Sequence, residues 1–145
     1  MTMDLRKLRD ALVATALSWE KAFGAAPRIT SDLSELDAAN IVGCSIEDYS
    51  ALNQGKTAVQ RGFDFVFEGV RYQVKANRPS GKPGSPVTLV GKARNYDWDV
   101  LIWVHYNSRY EVQEAWAWSV AEYKAAFHEK KRLGPADYRR GRRLV

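Results

Sequence analysis

Leu5, Leu8, Leu12, Ala16, Trp19 and Phe23 recur at intervals of three and four, which predicts an amphipathic helix over residues 4–22, stopping near Gly24 and Pro27. Leu33, Leu36, Ala39 and Val42 keep the helical interval up to Gly43, and Asp32 followed by Glu35 reads as a capping box that starts this second helix. Residues 45–60 are polar, with a weak helical pattern. The period then changes to two. Phe63, Phe65 and Phe67 are expected on one side of a strand with Asp64 and Val66 on the other, and Tyr72, Val74 and Ala76 alternate with Gln73, Lys75 and Asn77. Glu68-Gly69 between these runs is a two-residue turn, so residues 62–77 form a hairpin.

Glycine and proline fill the next stretch, Arg78-Pro79-Ser80-Gly81-Lys82-Pro83-Gly84-Ser85-Pro86, which continues neither a strand nor a helix. Val87 to Arg94 reads equally as a short helix or an extended segment. The apolar run Val100 to Val104 has the length of a strand buried on both faces. Asn107-Ser108-Arg109 turns the chain into a last strand, Tyr110 to Trp118, and Val120 to Phe127 forms a closing helix. Helices flanking a mixed sheet give an α/β (α+β) domain over residues 1–128, followed by a basic tail over 129–145.

With 145 residues, 46% of them hydrophobic, the chain fills one domain and is too apolar to be disordered throughout. No apolar run approaches the roughly 18 residues of a membrane span, and the first residues lack the continuous apolar core of a signal peptide, so the expected address is the cytoplasm. The single cysteine, Cys44, offers no disulfide and reads as a small buried hydrophobe. His105 and His128 lie too far apart for zinc-ligand spacing, and His105 reads as an ordinary strand residue. Any metal is therefore expected to be held by oxygen.

Charge is unevenly distributed. Residues 1–68 hold seven basic and ten acidic side chains (−3), and residues 69–96 hold six and none (+6). Residues 97–128 hold two and five (−3), and residues 129–145 hold seven and two (+5). Two basic blocks thus stand on an otherwise acidic chain, the arrangement a polyanion needs, because each neutralised phosphate releases counterions and supplies affinity without reading sequence. The expected nucleic-acid contacts are Arg71, Arg78, Ser80, Lys82, Lys92 and Arg94 in the first block, and Arg139, Arg140, Arg142 and Arg143 in the tail. The tail itself is expected to be a surface arm.

A hairpin turning at Glu68-Gly69 pairs residues whose numbers sum to 137, which sets Asp64 opposite Gln73 and Gly62 opposite Lys75. A carboxylate, an amide oxygen and an ammonium then share one sheet face. Mg²⁺ or Mn²⁺ takes such oxygens together with water and substrate phosphate, and a neighbouring lysine positions the attacking water or stabilises developing negative charge. Read structurally, the same three residues are a wet hairpin face joined by an ion pair between Asp64 and Lys75.

Asp64, then Gln73-Val74-Lys75 on the next strand, with Glu35 on a preceding helix, resembles the PD-(D/E)XK superfamily of restriction-endonuclease-like nucleases and Holliday-junction resolvases. In that family a helix leads into a three-stranded meander. The resemblance covers roughly residues 31–118 and implies a restriction-endonuclease-like core. It implies Asp64 and Gln73 as metal-site residues, the Val74 carbonyl as a further ligand, Lys75 as the catalytic lysine and Glu35 as the helix acid near the metal. Phe63 stands where the motif has proline, and Gln73 where it has an acid, which removes one negative charge from the site. Variants with QXK occur in such nucleases, and Glu35 supplies a replacement charge; in the other reading Glu35 only closes the capping box.

These features give a Mg²⁺-dependent endonuclease acting on DNA phosphodiesters, with a homodimer as the way for so small a domain to cut two strands. The competing readings are a catalytically silent DNA-binding module that keeps the nuclease fold, and a protein-interaction domain. Trp98, Trp103, Trp116 and Trp118, with Tyr96 and Tyr106, read as core residues in or beside strands.

Overall fold

The computed structural model describes residues 3–56 and 62–145, so the last four residues of the weakly helical stretch 45–60 fall outside the described part. Three helices come first: α1 (Leu5–Phe23), α2 (Thr30–Ile41) and α3 (Ile46–Gln54). The Asp4 side chain caps α1 by accepting the Lys7 N–H at 3.1 Å, and the chain leaves the helix through Gly24 at φ 86°. The packed face of α1 is rotated away from the apolar stripe. Ala16 is buried with Val13 and Leu17 beside it, whereas Leu8, Leu12, Trp19 and Phe23 are exposed. Two polar side chains are drawn inward instead: Arg9 binds Asp37 through two hydrogen bonds at 2.8 and 2.6 Å, and Glu20 takes both terminal nitrogens of Arg78 at 2.7 Å each. Tyr106 donates to the same Asp37 carboxylate, so the one buried aspartate of the core is fully bonded.

Helix α2 begins two residues before Asp32, with Ile29 at the cap position and no side-chain cap. The capping box expected of Asp32 and Glu35 is therefore absent. Glu35 lies in the second turn, where it has no terminal N–H to accept and is available to the site.

Five strands follow, β1 (Phe65–Phe67), β2 (Val70–Asn77), β3 (Val100–Tyr106), β4 (Val112–Ser119) and β5 (Arg142–Arg143), in that spatial order. The β1–β2 hairpin has the expected register, Phe65 with Tyr72 and Phe67 with Val70, and its turn places Glu68 at φ 51° and Gly69 at φ 78°, the left-handed pair of a type I′ connection. The next step differs from the meander implied by the family resemblance. β3 lies parallel to β2, Val74 beside Ile102 and Lys75 beside Trp103, and only then do β4 and β5 continue antiparallel. A parallel neighbour requires a crossover, and the chain between Asn77 and Val100 supplies it as an irregular segment over one face, bridged to the C-terminal residues between Val90 and Leu133. Val87 to Arg94 is thus extended or irregular, not helical.

The sheet separates two cores. Phe65, Val74, Ile102 and Val104 pack beneath α1 and α2; Leu101, Trp103, Trp98 and Trp118 pack against α4 (Val120–Phe127), α5 (Pro135–Tyr138) and the crossover. Trp98, Trp103, Trp118, Tyr106 and Cys44 are all buried, as core residues should be. The architecture is the expected α+β class: a mixed five-stranded sheet flanked by helices. Among the described residues no helix is long and apolar enough to cross a membrane.

The tail is the main correction. Leu133 and Tyr138 are buried, β5 extends the sheet against β4, and the Leu144 N–H donates to Ala115 O at 2.7 Å. Gly141 stands where a β-carbon would collide with the Trp118 indole and the Ala117 carbonyl. Residues 129–145 are a packed component of the domain, because two large apolar side chains among the cations outweigh the tendency of charge to stay in water.

Candidate active site

Asp64 lies immediately before β1, where the strand kinks. Its N–H donates to Tyr72 O at 2.7 Å, one residue out of step with the Phe65–Tyr72 pairing, and Phe63 packs with the second core while Phe65 packs with the first. Phe63 and Phe65 therefore do not share a side, contrary to the alternation expected from the sequence. The kink turns the Asp64 carboxylate along the sheet edge, where Oδ2 accepts the Val74 N–H at 2.7 Å. The N–H and carbonyl of one residue point to the same side of a strand, so the Val74 carbonyl is directed to this edge as well.

Glu35 comes from α2 to the same point. Its carboxyl lies against that of Asp64, and burial together with the Asp64 charge pushes it up to about 8. Glu35 therefore keeps its proton near neutrality beside the Asp64 carboxyl. Lys75 stands on the opposite sheet face from Val74, within the field of Asp64; burial holds its ammonium below the usual lysine range, helped by Arg94. The structure brings together Glu35, Asp64, the Val74 backbone and, from the other face, Lys75. Gln73 shares the Lys75 face, beside Leu101, and its side-chain amide makes no hydrogen bond with another described residue. No direct ion pair joins Asp64 to Lys75 among the described residues.

Two side chains at the site had no signal in the sequence. Lys56, just beyond α3, donates from Nζ to the Asp64 carbonyl at 2.7 Å, and its charge also reaches Glu35. Tyr49 of α3 packs edge-on to Phe65, and burial raises its hydroxyl to about 12. Both belong to the polar stretch whose helical pattern was weak, and only the packing of α3 against α2 sets them beside the carboxyls.

The predicted nucleic-acid contacts divide into spent and free charges. Arg78 is spent: its guanidinium is buried, bound to Glu20 and to Ser108 O, and lies 4.6 Å over the Tyr110 ring, so it holds the loop and not a ligand. Arg71 pairs with Asp99, Arg139 with Glu114, and Lys92 donates to the carbonyls of His128 and Lys130. Lys82 donates to Gly24 O, and Ser80 accepts the Lys82 N–H. Arg143 donates to Val145 O and covers Trp116, Arg140 lies over Phe127, and Arg94 and Arg142 are exposed. A cavity of about 660 Å³ opens between the end of α1, the start of α2 and the Gly/Pro loop, lined by Arg28, Ser31, Ser80, Lys82 and Ser85 among others. Ser31, which lines the cavity, and Glu35 are four residues apart on α2, so both lie on one side of that helix.

No protein-family model matches the chain, and no curated protein matches it.

The proton on Glu35 affects stability. Glu35 keeps its proton in the folded chain up to about 8 and loses it near 4.5 when unfolded, so the folded state binds more protons between those values and stability falls as pH rises through them. His105, lowered by burial, acts in the opposite direction below its ordinary 6.5. Melting of the metal-free protein should therefore shift downward from pH 6.5 to 8, and Glu35→Gln should flatten that decline. An equally steep decline in Glu35→Gln would assign the effect to another group.

Proposed function

We propose that this chain is a divalent-metal-dependent endonuclease of DNA phosphodiesters, a PD-(D/E)XK-like enzyme in its QXK form. The observation that carries the reading is the contact between the Glu35 and Asp64 carboxyls at a sheet edge, with Lys75 beside them. Burial and the Asp64 charge hold a proton on Glu35, and a divalent cation between the two carboxyls would take the place of that proton. The donor set fits Mg²⁺ or Mn²⁺: two carboxylates and a backbone carbonyl, all oxygen, leave room for water and a phosphate oxygen. The bound metal would supply Lewis acidity at the phosphate and lower the pKa of attached water. Asp64 and Glu35 would hold the cation, and the Val74 backbone fixes Asp64 through its N–H. Lys75 offers its ammonium to the phosphate charge that grows as the bond to oxygen breaks.

The exposed cations Arg94, near Lys75, and Arg28, at the cavity beside α2, would give the DNA backbone a path past the carboxyls. Gln73 lies outside this ligand set, which supports a second reading, a DNA-binding module without catalysis, if the two remaining acids hold the metal too weakly.

Calorimetric titration with Mn²⁺ separates the two. Metal binding must displace the Glu35 proton, so affinity should rise by up to about tenfold per pH unit below 8 and level off above it. Gln73→Glu should bind Mn²⁺ at least as tightly as the parent, through the added charge. Absence of Mn²⁺ binding at pH 8 in both proteins would remove the metal-dependent reading, and weaker binding by Gln73→Glu would show that an acid at that position does not face the metal.

A further inference from the structure

The crossover segment that covers Lys75 is held in place by the C-terminal residues. A β-carbon on Gly91 would stand 3.6 Å from Lys75 Cδ and 3.9 Å from Nζ, so the Gly91 backbone lies against the end of that side chain. Tyr138 donates its hydroxyl proton to the Gly91 carbonyl at 2.7 Å. A phenol has one proton to give, so in the 2.8 Å contact between Tyr138 and Tyr123 the donor is Tyr123. The Tyr123 oxygen in turn accepts the Ala93 N–H at 3.0 Å. Both rings are fully buried. The chain of hydroxyls therefore has one direction and grips the crossover on both sides of Lys92. Leu133 adds a backbone bond from Val90 at 2.8 Å, and Asn77 reaches Leu89 O at 3.1 Å.

We infer that Tyr138, with Tyr123, is a positioning residue for Lys75: the buried hydroxyl relay clamps Gly91 onto the end of the lysine and fixes the position of its amine. This rests on the nuclease reading only for its catalytic consequence. The clamp itself is a property of the fold. A rotatable lysine at that place has four flexible bonds to order, and a wall against its end removes most of those conformations before substrate arrives. The role also accounts for two tyrosines sharing hydroxyls in a core where phenylalanine would fill the same space: without the hydroxyls the Ala93 N–H and the Gly91 carbonyl lose their partners.

The test uses the full chain carrying Tyr138→Phe. Its folding is checked by its melt, and the nuclear Overhauser signal between the Gly91 α-protons and the Lys75 side chain is then compared with that of the parent. The signal should disappear or weaken strongly in the folded variant, and under Mg²⁺ turnover should fall on the order of 10- to 100-fold with KM unchanged. A folded Tyr138→Phe with the signal intact overturns the inference, as does a variant in which KM rises and turnover does not change. If Tyr138→Phe fails to fold, the parent carries the test: a Gly91–Lys75 signal together with a Tyr138 hydroxyl proton protected from exchange supports the clamp, and a missing signal or a freely exchanging hydroxyl refutes it. The signal is read without metal or DNA. A parent protein that cleaves nothing would therefore sink the nuclease reading while leaving the clamp to be judged on its own.

Discussion

Asp64→Asn should remove metal-dependent cleavage, by on the order of 10³-fold or more, while leaving the melting temperature of the metal-free protein unchanged or raised at pH 8. On the nuclease reading Asp64 is the carboxylate that both holds the cation and faces Lys75, and the Lewis-acid contribution it supports is several kcal/mol at about 1.36 kcal/mol per tenfold. The stability side follows from what Asp64 touches. Asparagine keeps an oxygen for the Val74 N–H, which Asp64 Oδ2 accepts at 2.7 Å, so the strand edge stays bonded. It also removes the charge that helps to hold the Glu35 proton, so Glu35 ionises at lower pH and the strain between two acids disappears. A plasmid-nicking assay with Mg²⁺ or Mn²⁺, run beside a melt at pH 8, reads both. Parent-like nicking by Asp64→Asn would exclude Asp64 from the chemistry. A large fall in melting temperature would instead make it a structural acid, and the absence of cleavage would then say nothing about metal.

The hairpin was legible because its signals are local. Alternation over 63–76 and a Glu-Gly pair suited to left-handed φ fix a register, and the register alone brings Asp64 near the QVK strand. The kink at Asp64 was not legible. The phenylalanines at 63, 65 and 67 look like one face, and only the packing of Phe63 into the tryptophan core shows that the strand turns over between them. For the same reason the sequence put Gln73 with Asp64, whereas the turned carboxylate reaches the Val74 N–H and Glu35. Glu35 itself was found by resemblance and obscured by a capping pattern: Asp32-x-x-Glu35 satisfies the spacing, but the helix starts at Thr30, and no local rule decides between two such starts. Charge patterning misled most at Arg78 and in the tail. A run of cations without acids reads as a free surface, yet the neutralising partners lie far away in sequence, 58 residues in the case of Glu20 and Arg78.

The tail gives the second large effect. Truncation after Phe127 should abolish cooperative folding, not merely weaken DNA binding. It deletes Leu133 and Tyr138, both fully buried, and large-to-small replacements at such sites cost about 2–5 kcal/mol each. It also strips the Trp118 indole N–H of its acceptor, Tyr138 O at 3.1 Å, and exposes the β4 edge that β5 covers. Together these exceed about 5 kcal/mol, comparable with the whole stability of many domains. The truncated chain should therefore show no sigmoidal melt under conditions where the parent does. A cooperative melt within a few degrees of the parent would return the segment to the status of an appended arm. Charge is separated from packing by Arg142→Gln with Arg140→Gln, since both side chains are exposed and the first lies in β5 without an ion-pair partner among the described residues. That double variant should fold like the parent. If these cations lie along duplex DNA, the slope of log affinity against log salt should become shallower by up to about 0.9 for each phosphate no longer neutralised, equally for all sequences. An unchanged slope in a folded double variant would mean that the basic character of the tail is a consequence of covering the sheet edge with a soluble segment, and that DNA passes elsewhere.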